Sequence, residues 1–323
     1  MSMQSETSGE FNFLTKSVES SLYRNGKVLI RRDADGSDSG REGLDFEKQP
    51  LSVINARASA DKDRPGLIRN GFELFDAPFT NTKLDFLDHQ QVVEHYYAEC
   101  EAIMQQATGG RAYAFDHNVR SAAGKQSKQR IKGGQQVQGP AHTVHGDYTL
   151  TSAPQRLRDL ARPPSGNDTL RYKLSQEQSL LDAEEINALL ENNQRFAIIN
   201  VWRNIVIEPV VMHPLALCDG KTVAPEDLVV FEIHYPDRIG ENYFARHSNK
   251  QQMFYYPLMT RDEALLIKQW DSAGPLATSK GELADNSSDE PCTFSFHSAF
   301  KCPDTPEDAP DRWSVEVRCI VIY

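Results

Sequence analysis

Short β-forming runs separated by turn-rich loops dominate the second half of the chain. Phe196-Ala-Ile-Ile-Asn-Val-Trp202, Leu228-Val-Val-Phe-Glu-Ile-His234, Gln252-Met-Phe-Tyr-Tyr256, Cys292 to Phe296 and Trp313 to Tyr323 each read as a strand. Helical periodicity is confined to three places. Asp85 predicts an N-cap for a helix through Gln106, with Leu87, Val92, Tyr96 and Ile103 on one stripe and Gly109-Gly110 ending it. Ser175 predicts the cap of a second helix carrying Leu180, Leu181, Ile186, Leu189 and Leu190, and Thr260-Arg-Asp-Glu263 reads as a capping box opening a third through Trp270.

Residues 1–80 lack such a pattern and read as an N-terminal extension packing on the core. Lys27–Ile30 and Phe72–Phe75 are its docking pieces, and Asp33 to Glu42 is expected to be a solvated loop. Residues 81–323 then form one catalytic domain, in which the polar stretch from Ala273 to Pro291 is expected to act as a flexible lid. No repeat and no convincing βαβ alternation is present. Many short strands with a few helices predict a mainly β fold, an antiparallel barrel or sandwich with flanking α-helices.

Composition narrows the partners. A formal charge of −11 over 323 residues disfavours nucleic acid or an anionic membrane surface. No apolar run approaches the roughly 18 residues that a bilayer span needs, and the first ten residues hold no apolar signal core. Five cysteines without a CxxC pair point to free buried thiols and a cytoplasmic location, in which setting Asn167-Asp-Thr169 carries no glycan. The expected partner is a soluble small molecule, with the oligomeric state, a homodimer included, left open.

The chemistry concentrates in His145-Gly146-Asp147. Flanked by Thr143-Val144 and Tyr148-Thr149, it has strand composition, and residues i and i+2 of a strand share a face. His297 is isolated in a second β-forming run. Two histidines and a carboxylate on one face of a metal, with the other positions open, make the donor set of non-heme Fe(II) oxygenases. His142 falls on the opposite strand face and is excluded; His213, His234 and His247 have no partner at ligand spacing.

Along the last strand, Arg312, Ser314, Glu316 and Arg318 share one face. Such a face is either solvent-exposed or lines a polar cavity. An Arg-x-Ser pair following a distal iron histidine suits 2-oxoglutarate, since the guanidinium grips the far carboxylate and the hydroxyl adds a hydrogen bond. Arg312 with Ser314 is the first choice for that role and Arg318 the second. Tyr255 and Tyr256 alternate faces, so one of them points inward, where the Tyr256 hydroxyl is expected to touch 2-oxoglutarate. Asn200 and Trp202 share a face opposite Arg203; Trp202 reads as core packing, with pocket lining the alternative, and Arg203 suits an interior salt bridge or a bound carboxylate equally. His117 and Arg120 are read as lying in a loop ahead of the barrel, as a loop-anchoring hydrogen-bond pair first and as residues closing over the pocket second.

His145-Gly-Asp-Tyr-Thr149, Ile199-Asn-Val-Trp-Arg203, His234 to Glu241, Phe254-Tyr-Tyr256, Ser314-Val-Glu-Val-Arg318 and Phe115 to Arg120 together resemble the fungal and bacterial hydroxylase/desaturase family. That family includes proteins similar to the cephamycin 7-hydroxylation component and gibberellin desaturase. The resemblance runs from about residue 50 onward. It implies a double-stranded β-helix core (jelly-roll, cupin-like), with Fe(II) on His145, Asp147 and His297, and 2-oxoglutarate and O2 as cosubstrates. The chain departs from the family at Asn204, where proline is usual, and at Ser298, where threonine often follows the histidine; neither position is a proposed ligand. The function expected is hydroxylation, desaturation or oxidative cyclisation of a secondary metabolite. An iron oxygenase or isomerase that dispenses with 2-oxoglutarate, and a non-catalytic jelly-roll binding protein, are the alternatives.

Overall fold

The chain's apolar strands are laid into two facing sheets. The structure, a computed structural model, describes residues 4–33, 38–134, 136–164, 168–236, 238–286, 290–303 and 305–323; Asn167 of the glycosylation-like triplet lies outside them. The strands in the first third are β1 (Glu6–Leu14), β2 (Leu29–Arg32), β3 (Asp38–Glu42), β4 (Phe46–Asn55) and β5 (Phe72–Asp76). The middle of the chain adds β6 (Arg111–Arg120), β7 (His145–Gly146), β8 (Phe196–Asn204), β9 (Leu215–Cys218) and β10 (Leu228–His234). The last are β11 (Ile239–Ala245), β12 (Met253–Tyr255), β13 (Glu263–Asp271), β14 (His297–Ala299) and β15 (Ser314–Ile322).

The larger sheet runs β1-β4-β12-β9-β14-β7-β11-β10-β2-β3 and the smaller β5-β13-β8-β15-β6. Leu215 and Leu217 of the first sheet pack with Trp202, Leu265 and Ile267 of the second, so the two face each other across one core. The fold is a mainly β jelly roll. The first 80 residues supply strands to both sheets: β1 and β4 form one edge of the larger sheet, β2 and β3 the other, and β5 an edge of the smaller. Phe11 and Phe13 are fully buried there, Phe11 stacking on Phe300 at 5.4 Å.

Three expectations about helices are corrected. The run opened by Thr260 is strand β13, although Glu263 does accept from the Thr260 backbone N–H. Ala264-Leu-Leu-Ile267 is buried on both faces between β5 and β8, and such a run reads alike for helix and strand. The first helix is capped by Asp88, not Asp85. It begins at His89, passes through a π segment over Val92–Tyr96, and continues over Tyr97–Thr108 to Gly109, whose φ of 71° ends it. The second is Ala183–Glu191, capped by Asp182; Ser175 begins only a turn. A helix over Ser152–Leu160 was not foreseen, although Ala153, Leu157 and Leu160 carry the i, i+4, i+7 signal.

Two more differences touch the site. Phe115 to Arg120 is not a loop but the end of β6, paired along β15. The strand expected over Cys292–Phe296 begins only at His297. The stretch from Ala273 to Pro291, of which residues 287–289 fall outside the description, is pinned where it is described: buried Asp285 accepts from the Leu276 and Thr293 backbone N–H groups and from Thr293 Oγ1.

Candidate metal and cosubstrate site

β7 and β14 are adjacent antiparallel strands in the middle of the larger sheet, and His145 and His297 are directly opposed partners in their register. Their ring centroids lie 4.3 Å apart. Asp147 follows β7 immediately, and its Oδ1 is 3.7 Å from His145 Nε2. One ligand atom from each of His145, Asp147 and His297 falls within 4.8 Å of the others, and this is the one such cluster among the described residues.

The donors are prepared for a cation. Thr143 O lies 2.8 Å from His145 Nδ1, an arrangement that places the proton there and leaves Nε2 free to ligate. Burial, helped by neighbouring His297, lowers His145 to about 4, and burial lowers His297 as well. Both imidazoles are therefore neutral at pH 7. Burial opposes ionisation of Asp147, but Arg318 and the two imidazoles outweigh it and hold the carboxyl well below its usual range. Two neutral imidazoles and one carboxylate fit a divalent first-row metal.

The smaller sheet faces this cluster with three cross-strand rows. Arg120, Ser314 and Asn204 form one; Asn118, Glu316 and Trp202 the next; Asp116, Arg318 and Asn200 the third. A small cavity of about 20 Å³ lies between the sheets, lined by His145 and His297 on one side and by Arg120, Trp202, Arg312 and Glu316 on the other, with Ala141, Leu215 and Ala299.

Arg312 is 2% exposed. Its Nη1 donates to His213 O, its guanidinium centre sits 5.6 Å from the Trp202 ring, and its Nε has no hydrogen-bond partner among the described residues. Burial and the facing Arg120 lower it to about 9, which leaves it charged at pH 7. Arg120 donates to Gly139 O at 3.0 Å. Ser314 Oγ, directly across the strand pair from Arg120, is buried with no hydrogen-bond partner among the described residues. Burial and the Asp147 charge push Glu316 upward. The two guanidinium groups line the cavity, and with the Ser314 hydroxyl across the strand pair from Arg120 they suit an anion.

Arg318 is placed differently. It does not line the cavity but reaches Asp147, Asp116 and Glu316 at 3.2, 2.7 and 3.4 Å. Tyr256 does not line the cavity either; its ring stands edge-on to Phe72 at 6.5 Å with the Arg57 guanidinium 6.0 Å away. Tyr255 packs on Phe300. Arg203 is wholly buried and paired with Glu99, and His117 lies 2.9 Å from the Tyr97 hydroxyl. The sequence reading set Arg120 in a loop, whereas β6 carries it to the cavity wall; Gln269 was missed, and no sequence signal exists for it.

A jelly roll with a His-Asp-His donor set in the interior of one sheet defines the class of mononuclear non-heme iron oxygenases. Residues 11–322 match the model of a family described as an oxidoreductase/YMDC permease-like domain; no helix among the described residues is long and apolar enough to cross a membrane. The chain is 44% identical over 197 residues to an uncharacterized protein in the dcmA 3′ region of Methylophilus leisingeri, covering 61% of this chain and 89% of that one. It is 30% identical to the Fe(II)/2-oxoglutarate-dependent dioxygenase nvfI of Aspergillus novofumigatus, covering 87% of each. The hydroxylase/desaturase efuI of Hormonema carpetanum is 25% identical over 96% of this chain and 98% of its own. Among solved structures, the iron and alpha-ketoglutarate-dependent endoperoxidase NvfI superposes with a TM-score of 0.73 at 24% identity, covering 98% of both chains. The chain belongs to the Fe(II)/2-oxoglutarate-dependent oxygenases, oxidoreductases that use non-heme iron, 2-oxoglutarate and O2. The link to the cephamycin component stays a resemblance of motifs.

Proposed function

We propose that His145, Asp147 and His297 hold the Fe(II), that Arg312 with Ser314 and Arg120 takes the far carboxylate of 2-oxoglutarate, and that the enzyme hydroxylates, desaturates or oxidatively cyclises a small, partly apolar secondary metabolite in the cytosol. One observation supports this reading above the others: His145 and His297 of the donor cluster line the same cavity as Arg312 and Arg120. When bound, the iron supplies the oxidising chemistry that couples decarboxylation of 2-oxoglutarate to removal of hydrogen from a substrate C–H bond. The chain's own residues do the rest. The neutral imidazoles present lone pairs, Arg312 fixes the cosubstrate's orientation, and Trp202, Leu215 and Ala299 give the cavity an apolar wall that excludes water. Five cysteines outside any disulfide, four of them buried, support the cytosolic setting.

The test is succinate formation with Fe(II), 2-oxoglutarate and O2 across panels of amphipathic metabolites, peptides and oligonucleotides. Stimulation by a small metabolite, lost in His297→Ala, is expected. Turnover that persists without 2-oxoglutarate, or product formation on a folded protein or DNA, would defeat the reading.

A further inference from the structure

Asp147 has two carboxylate oxygens, and the structure treats them unequally. Oδ1 faces His145. Oδ2 accepts from both Asn200 Nδ2, at 3.1 Å, and Arg318 Nε, at 3.2 Å. These two donors are themselves directly opposed partners on β8 and β15. A third contact comes from β13: the Asp147 backbone N–H donates to Gln269 Oε1 at 3.0 Å. Gln269 sits at the irregularity where the β13–β8 register shifts between Lys268 and Trp270. A bulge there re-aims a side chain that regular pairing would place elsewhere. Arg318 is in turn braced by Asp116 through Nη1 at 2.7 Å. Two strands of the smaller sheet thus hold the Asp147 carboxylate, and a third holds its backbone N–H.

We infer that Arg318, Asn200 and Gln269 are positioning residues that clamp Asp147 so that only Oδ1 can reach the metal, and that Arg318 is not a cosubstrate ligand. The inference rests on the reading of His145, Asp147 and His297 as the metal donors. Its consequence is a count of coordination positions. With Oδ2 engaged by a guanidinium and an amide, Asp147 supplies one donor atom and three positions stay open for the keto acid and O2. Released, the carboxylate can swing or chelate through both oxygens and close one of them. A charge-assisted bond to a ligand oxygen also withdraws electron density from the metal bond.

The experiment is Co(II) titration of the full chain, followed by absorption spectroscopy, with 2-oxoglutarate added only after the metal is saturating. Arg318→Met should weaken Co(II) binding about ten- to a hundredfold and alter the Co(II) spectrum before any cosubstrate is present. Arg318→Lys should restore part of the affinity, and Asn200→Ala should shift the spectrum in the same direction, which keeps the test sound should Arg318→Met fold poorly. Arg312→Met should leave metal affinity and spectrum unchanged and lose 2-oxoglutarate binding. An unaltered Co(II) affinity and spectrum in Arg318→Met, or a loss confined to 2-oxoglutarate binding, would overturn the inference. His297→Ala separates the two levels: wild-type Co(II) binding by that variant would sink the metal assignment and this inference together. With His297→Ala unable to bind, a wild-type result for Arg318→Met overturns the clamp alone.

Discussion

His145 and His297, 152 residues apart in the chain, are directly opposed partners on adjacent antiparallel strands. The relationship is strict because a one-residue slip in either strand would turn one imidazole to the opposite face of the sheet. Their neighbours hold the register: His297 also pairs with Leu217 of β9, and Gly146 with Tyr243 of β11. The proposed metal ligation would thus depend on the pairing of β9, β14, β7 and β11.

Divalent metal should stabilise the folded chain, since the donor cluster exists only in the folded state. At a hundredfold excess over Kd the gain is about 2.7 kcal/mol. Thermal denaturation with and without Co(II) should show a higher Tm with metal in the wild type, and no such rise in His297→Ala.

Arg312→Met should raise the KM for 2-oxoglutarate about tenfold or more, with metal affinity intact. A charge-assisted bond of this kind contributes about 1.5–3 kcal/mol. A 2-oxo acid of the same length without the far carboxylate should be used equally well by wild type and variant. Equal loss with both acids would mean that Arg312 acts on something else.

Acid should destabilise the protein through His117. Burial, with His89 beside it, lowers this imidazole from 6.5 to about 4. The folded value is the lower one, so the unfolded chain takes up the proton first. Stability is complete above pH 6.5 and declines as the pH falls from about 6.5 to about 4, by up to about 3 kcal/mol from this group. Urea melts between pH 7 and 5 should show a shallower decline in His117→Gln; an unchanged slope would show that other groups are responsible.

The pair between wholly buried Arg203 and Glu99 ties the smaller sheet to the helix over Tyr97–Thr108, on the face away from the cavity. Removing one partner strands a buried charge, so Arg203→Met should cost about 3–5 kcal/mol of stability. At a temperature where the variant is folded, its KM for 2-oxoglutarate should stay within twofold of wild type.

Phe13→Ala should cost about 3–5 kcal/mol, although Phe13 belongs to the N-terminal extension, because its side chain is fully buried in the core shared by both sheets. A loss below about 1 kcal/mol would show that the extension can detach from the core.

Local pattern carried much of this protein. The strand read over Leu228–His234 is β10 residue for residue, and the runs at Phe196 and Trp313 are β8 and β15 to within two residues at either end. The His-x-Asp spacing, the lone His297 and the polar face from Arg312 to Arg318 were legible because side-chain alternation is a property of a single strand. Pairing between strands is not. Whether Ala264-Leu-Leu-Ile267 is helix or strand was decided by β5 and β8 on either side of it, and Arg120 entered the site only through its register with Ser314. The division of labour between the two arginines shows the same limit. Alternation puts Arg312 and Arg318 on one face and cannot separate them. Cross-strand register sets Arg318 between Asp116 and Asn200, against Asp147, while Arg312, just ahead of the paired residues, projects into the cavity with its Nε unengaged.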